Sequence, residues 1–269
     1  MFARSTEILL SFSIVALLFG CKSKEVSPTT GWNYDDSEWG GFESAKPGEK
    51  MEPDGMVFIE GGSFVMGQTT DNVRHEWNNQ PRKATVSSFY MDECEVTNQA
   101  YREYLYWLNR AYGNDYPEYC KKALPDTLVW RSKLSYNEPY VDYYFREPNY
   151  ADFPVVGVSW LQAVEYCNWR TDRVNERILV DAGYLQIDPD ATGDNTFNTD
   201  AYYAGLYEGI VVNEMPDLNP ASGGTRKVRM EDGILLPRFR LPTEAEWEFA
   251  AYALIGNSYD ERIVERRIY

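Results

Sequence analysis

Arg240-Leu241-Pro242-Thr243-Glu244-Ala245-Glu246-Trp247-Glu248 is the stretch on which the reading of this chain turns. Thr243, just after Pro242 and three residues before Glu246, has the form of a capping box. In that arrangement a hydroxyl accepts from the third backbone N–H and a carboxylate reaches back to the first. Glu244 and Glu246 fall in the first turn, where negative charge suits the positive end of the helix dipole. Both carboxylates therefore read as helix-starting groups rather than catalytic acids. Trp247, Ala250 and Ala251 are the expected buried stripe, and Leu241, Trp247 and Trp160 the expected core.

Two more helix starts lie upstream. Ser159-Trp160-Leu161-Gln162 is a second capping box, with Trp160, Ala163, Val164 and Cys167 expected on one face. Thr97 and Asn98 offer an N-cap to a helix in which Tyr101, Tyr104, Leu105 and Leu108 recur at helical spacing. Before these, Met56 to Gly67 reads as two short strands folded into a hairpin at Gly61-Gly62, with a further strand over Thr85–Met91. Residues 171–237 are rich in Asp, Asn and Gly, and read as a long insertion. No internal repeat is present.

The N-terminus carries its own signal. Arg4 precedes an apolar run from Ile8 to Gly20 of about 13 residues, short of the ~20 that span a bilayer as a helix. Leu18-Phe19-Gly20-Cys21 has the shape of a lipobox, with a small residue before a thiol that can carry diacylglycerol. The expectation is a lipoprotein signal peptide over 1–20, a lipid on Cys21, an aperiodic tether over 21–52 and a folded domain over 53–269. The aromatic Trp32 and Phe42 are more than a spacer needs, and read as docking residues.

A formal charge of −16 over 269 residues argues against nucleic acid as a partner, because polyanions repel. With 43% hydrophobic and 15% aromatic residues the chain can bury a core. Of the 4 cysteines, Cys94, Cys120 and Cys167 remain once Cys21 is lipidated. A Cys94–Cys120 disulfide and three buried single thiols are both open readings. The single histidine, His75, excludes multi-histidine zinc sites. No Gly-rich phosphate loop appears, and no cofactor is expected. Asp188, Asp190 and Asp194 resemble the first half of a calcium loop, but Thr199 stands where a bidentate Glu belongs and Pro189 interrupts the loop. A plain Asp-rich turn is the better reading, so no metal is expected.

Phe64-Val65-Met66-Gly67, Asp92 to Asn98, Pro154 to Trp160 with Tyr166-Cys167 and Trp169, and the Arg240–Glu248 block occur in one order. Together they resemble the successive signatures of the formylglycine-generating-enzyme (sulfatase-modifying factor) family. The resemblance implies an α+β, C-type-lectin-like fold with little regular structure for its size. Thr30-Gly31-Trp32, His75 to Asn79, Ala123 to Arg131 and the insertion resemble, more narrowly, gliding-motility lipoproteins of Bacteroidota. That implies a non-enzymatic outer-membrane component on the periplasmic face, held through the lipid on Cys21 and working with other gliding and type IX secretion envelope proteins. Catalytic members of the family carry a cysteine pair in a later segment that this sequence does not contain, so the expectation is a domain whose C-terminal part is missing. The alternatives are a lectin-like glycan- or peptide-binding module, or a formylglycine-generating oxidase.

Overall fold

The Thr97 hydroxyl accepts the Ala100 N–H at 3.2 Å and starts helix α1 (Asn98–Tyr112), which buries Tyr101, Tyr104, Leu108 and Ala111. In the computed structural model, which describes residues 25–44, 52–67, 80–222 and 224–256, α1 is followed by α2 (Pro117–Lys122), α3 (Glu138–Tyr143), α4 (Trp160–Asp181), α5 (Thr199–Tyr203) and α6 (Glu244–Gly256). Strands β1 (Met56–Ile59), β2 (Gly62–Met66), β3 (Arg82–Val86) and β4 (Phe89–Asp92) precede them, and β5 (Met215–Pro216) and β6 (Thr225–Arg226) are short. The result is an α+β fold in which most of the chain between helices is irregular. Contacts divide it into two units: Pro47–Asn213 with Gly233–Tyr269, and Met1–Lys46 with Glu214–Asp232.

In the larger unit the expected hairpin at Gly61-Gly62 does not form. β1 pairs antiparallel with β4 and β2 with β3, so Ile59 faces Phe89 and Gly62 faces Val86. The register is the same on both sides of the break, which makes one long ribbon interrupted at Glu60-Gly61 and Ser87-Ser88. Gly61 is needed for close approach rather than for a turn. A Cβ there would lie 2.5 Å from the Ser88 nitrogen and the Val86 oxygen, while the Gly61 N–H donates to Ser88 Oγ at 2.9 Å.

α4 starts as its sequence requires. Gln162 N–H donates to Ser159 Oγ at 3.3 Å, and Ser159 N–H donates back to the Gln162 side chain at 2.7 Å. With no Gly or Pro before Gly183, the helix runs on to Asp181, so the insertion begins later than residue 171. The expected apolar face is rotated. α4 buries Tyr166, Thr171, Asn175 and Leu179, whereas Trp160 is 72% exposed.

Two apolar clusters form the core of this unit. Tyr101, Tyr104, Leu108, Ala123 and Tyr166 make the first, in which Tyr101 stacks on Tyr166 at 5.8 Å between centroids. Phe64, Met66, Val86 and Phe249 make the second, with Phe64 edge-on to Phe249 at 5.2 Å. α6 thus buries Phe249 and half-buries Ala245 and Tyr252 beside it, spaced by four and three residues. Trp247 lies two residues off this stripe, roughly 200° around the helix, and is 61% exposed. Leu241 is only half-buried. The Thr243–Glu246 box does form, with Glu246 accepting from the Thr243 N–H at 2.8 Å and from both ends of the Arg240 guanidinium at 2.8 and 2.6 Å.

Buried side-chain amides and hydroxyls tie the irregular segments to the helices. Asn98 donates to the Tyr144 and Tyr150 carbonyls at 3.2 and 2.9 Å. Asn175 takes the Leu236 N–H at 2.9 Å and donates to the Leu236 carbonyl at 3.2 Å. Thr171 Oγ1 accepts the Phe239 N–H at 3.0 Å.

In the smaller unit, residues 25–44 are folded rather than an aperiodic tether. Val26 bridges to Asn33, Asp36 caps a short 3-10 turn (Ser37–Trp39), and Gly41 lies where a Cβ would meet the Leu218 carbonyl at 2.0 Å. β5 pairs with β6. The nearly buried Arg226 guanidinium lies between Glu43, which it reaches through Nε at 3.1 Å, and Asp232, which it reaches through both terminal nitrogens at 2.7 Å. Glu43 also accepts the Leu218 N–H at 3.0 Å. The two parts are far apart in sequence, so composition alone reads the first as a spacer.

Phe249→Ala is expected to cost about 3–5 kcal/mol by denaturant unfolding, and Trp247→Ala within about 0.5 kcal/mol. Equal costs would contradict the assigned stripe. The Arg240 guanidinium, with the Thr243 donors, holds the Glu246 carboxyl down to about 2 from 4.5. A carboxylate depressed in the folded state stabilises above its unfolded pKa, and that stability is lost as pH falls from about 4.5 towards 2. Glu246→Gln should therefore flatten the acid limb of stability over that window in a pH series of melting curves.

Candidate binding site

α1 and α4 face each other with Tyr104, Trp107 and Tyr112 on one side and Glu165, Asn168, Trp169 and Asp172 on the other. Tyr119 from α2, residues 197–200 and Arg238 complete the walls of a cavity of about 260 Å³. The ring spacing follows from helical periodicity: Tyr104 lies 5.3 Å and Trp107 6.4 Å from Trp169, and Tyr112 lies 6.1 Å from Tyr119.

The polar groups are ordered in short chains. Tyr119 donates to Glu165 at 3.3 Å, with Tyr104 beside it on the same wall. Burial first, and then the Glu165 charge, push Tyr119 up to about 12; burial raises Tyr104 further still. Both phenols therefore stay neutral donors at physiological pH. Asp172 accepts from Asn198 at 3.1 Å and from the Thr199 N–H at 2.8 Å, and Asp200 pairs with Arg238. Behind the wall, the Arg173 guanidinium lies 4.4 Å over the Trp107 ring, bonded to Glu176 at 2.7 Å and to the Phe197 carbonyl at 2.6 Å. Burial lowers its pKa. The buried indole N–H groups of Trp107 and Trp169 have no hydrogen-bond partner.

No cysteine or histidine is among the lining residues. Rings, amides and paired carboxylates line it instead. A second feature is an apolar surface around the 3-10 turn Thr127–Trp130 and α3. Trp130 packs on Tyr140 and Tyr144 at 5.3 and 4.7 Å. Leu124, Leu128, Val129 and Tyr143 stand exposed, as do Leu134, 98% exposed, and Tyr136, 82% exposed.

Cys21, the expected lipid site, and the single histidine His75 lie outside the described residues. Cys94, Cys120 and Cys167 are single thiols, so the Cys94–Cys120 pairing is not formed. Nor are all three buried. Cys94 is exposed in the turn after β4, and the other two are half-buried. Cys120 Sγ donates to the Leu108 carbonyl at 3.5 Å, which ties it to α1. Burial raises the Cys167 thiol, against the opposing effect of Arg170. Asp188 is used by its own turn, accepting the Asp190 N–H at 3.0 Å. Among the described residues no group of three His, Cys, Asp or Glu side chains is placed to hold a metal, Asp188, Asp190 and Asp194 included.

The cavity was not anticipated from the sequence. Trp107 and Trp169 were its available signal, because each lies on the inward side of a helix that the sequence already predicts. On native protein, Cys94 is expected to label readily with a thiol reagent at neutral pH. Cys167 should label only at raised pH or after unfolding. Fast neutral labelling of Cys167 would contradict its assigned environment.

The sulfatase-modifying factor enzyme 1-like domain matches residues 41–262 of the chain. The formylglycine-generating enzyme of Bos taurus is 23% identical over 81% of this chain and 59% of its own length. The serine/threonine-protein kinase pkn1 of Chlamydia caviae is 33% identical over 42% of this chain and 16% of its own length. The inactive C-alpha-formylglycine-generating enzyme 2 of Mus musculus is 29% identical over 47% of this chain and 46% of its own length. The chain thus spans at most 59% of the curated relatives it matches.

Proposed function

The chain belongs to the sulfatase-modifying factor enzyme 1-like domain family, and on that premise we propose that it is a non-enzymatic, lipid-anchored structural component of the bacterial gliding-motility and type IX secretion machinery. The observation that carries this reading is the apolar surface around Thr127–Trp130 and α3. Leu124, Leu128, Val129, Leu134, Tyr136 and Tyr143 are all exposed within twenty residues of chain, and clustered exposed apolar side chains mark surfaces that meet a partner. The same segment holds Ala123 to Arg131, one of the blocks that resemble the gliding-motility lipoprotein GldJ. The lipobox at Cys21 supplies the anchor, and the proposed location is the periplasmic face of the outer membrane. The three remaining thiols are unpaired, and burial raises the pKa of Cys167 rather than activating it. A relative named as an inactive C-alpha-formylglycine-generating enzyme is in keeping with that reading.

A Cys21→Ala strain is expected to make folded protein that leaves the membrane fraction, with gliding or secretion lost. Normal fractionation together with normal motility would contradict the anchored reading.

The aromatic cavity favours a second reading, a lectin-like module that holds a glycan or peptide. Its mixture of rings, amides and carboxylates matches what such ligands offer. On that reading soluble protein binds an envelope glycan saturably, and Trp169→Ala lowers the affinity at least tenfold in a calorimetric titration. Binding unchanged in that variant would remove the cavity from consideration.

A further inference from the structure

From the smaller unit we infer that its exposed aromatic edge, carrying the Trp32–Trp39 pair with Phe42 exposed nearby in sequence, rests in the headgroup region of the same membrane that holds Cys21. This inference rests on the lipidation of Cys21 proposed above.

The leash length limits where this unit can be. Cys21 and Glu25, the first described residue, are four residues apart, so at ~3.6 Å per residue they lie within ~14 Å of each other however the chain runs. That is less than half the ~30 Å thickness of a bilayer core. A lipid on Cys21 therefore keeps the folded unit next to the headgroups, and its exposed side chains have that surface as their nearest partner.

Those side chains have the required chemistry. Trp32 is 55% exposed and Phe42 64% exposed, with Trp39 close behind. Trp32 and Trp39 meet edge to face at 6.1 Å, and Tyr34 packs against Phe42 at 5.3 Å. Trp rings favour the boundary between water and acyl chains, because they combine an apolar body with one polar N–H. The edge is also rigid. The Trp32 ring lies over Gly40, where a Cβ would approach it at 3.2 Å, and the next residues are fixed by Gly41 against Leu218 and by Glu43 on Arg226. A preset edge loses little freedom on docking. Residues 25–44 carry Glu25, Asp35, Asp36, Glu38 and Glu43 and no Lys or Arg, so the surface suits zwitterionic rather than anionic lipid.

The test uses full-length protein purified from membranes and reconstituted in phosphatidylcholine vesicles with bromine-labelled acyl chains. Mass spectrometry establishes the lipid on Cys21. Tryptophan emission of the wild type should be partly quenched by the brominated lipid. The double variant Trp32→Phe/Trp39→Phe, with the same circular dichroism and the same lipid, should lose most of that quenched fraction. A lipidated wild type that is not quenched, or a double variant quenched as strongly as the wild type, overturns the inference and leaves the anchor standing. Absence of lipid on Cys21 overturns the anchor and the inference together.

Discussion

The fold depends on buried side-chain amides that pair with main chain where no strand is present to do so. In the larger unit Asn175 takes both the N–H and the C=O of Leu236, as a neighbouring strand would, from a position of complete burial on α4. Asn98, at the start of α1, donates to two carbonyls of the segment before Phe153. A hydrogen bond of this kind contributes only about 1 kcal/mol net, but leaving its buried partner unpaired costs about 1–3 kcal/mol. With only two-stranded ribbons among the described residues, the irregular chain there has few other partners. The walls of the cavity inherit their positions from these same helices, because Thr171, Asp172 and Asn175 fix residues 197–200 and 236–239 against α4.

How much of this was legible in the sequence follows from how local each signal is. Capping boxes are local: Ser159–Gln162 and Thr243–Glu246 fixed the starts of α4 and α6, and the spacing of Tyr101, Tyr104 and Leu108 fixed the inward face of α1. Which side of α4 and α6 is buried is not local. The tryptophans at 160 and 247 are large and apolar, yet the stripe is set by what lies opposite, and there Phe64 and Val86 receive Phe249. The ribbon is hidden from the sequence for a related reason. Gly61-Gly62 has turn composition, but the close approach of residues 86–88 is a long-range requirement that also selects glycine.

The smaller unit shows the same limit from the other direction. Residues 25–44 hold too few aliphatic residues to announce a core, and they are ordered by partners almost two hundred positions away. Arg226 is the central group there, with Glu43 and Asp232 satisfying a guanidinium that is largely removed from water. Such a pair is costly to break on one side only, so residues 25–44 form a folded element rather than a free leash. The family resemblance was carried by short specific blocks, whereas the cavity emerges only when two helices are brought together.

The central claim is that this family domain acts here as an anchored surface for assembly, with residues 124–143 as the contact. Photo-crosslinking in intact cells from position 134, where Leu134 is almost wholly exposed, tests that most directly. The account predicts a discrete adduct with a gliding or secretion envelope protein, absent when the same photo-crosslinking residue replaces Tyr106 on the exposed side of α1. Identical labelling at both positions, or no adduct at position 134 in cells that still glide and secrete, would contradict it.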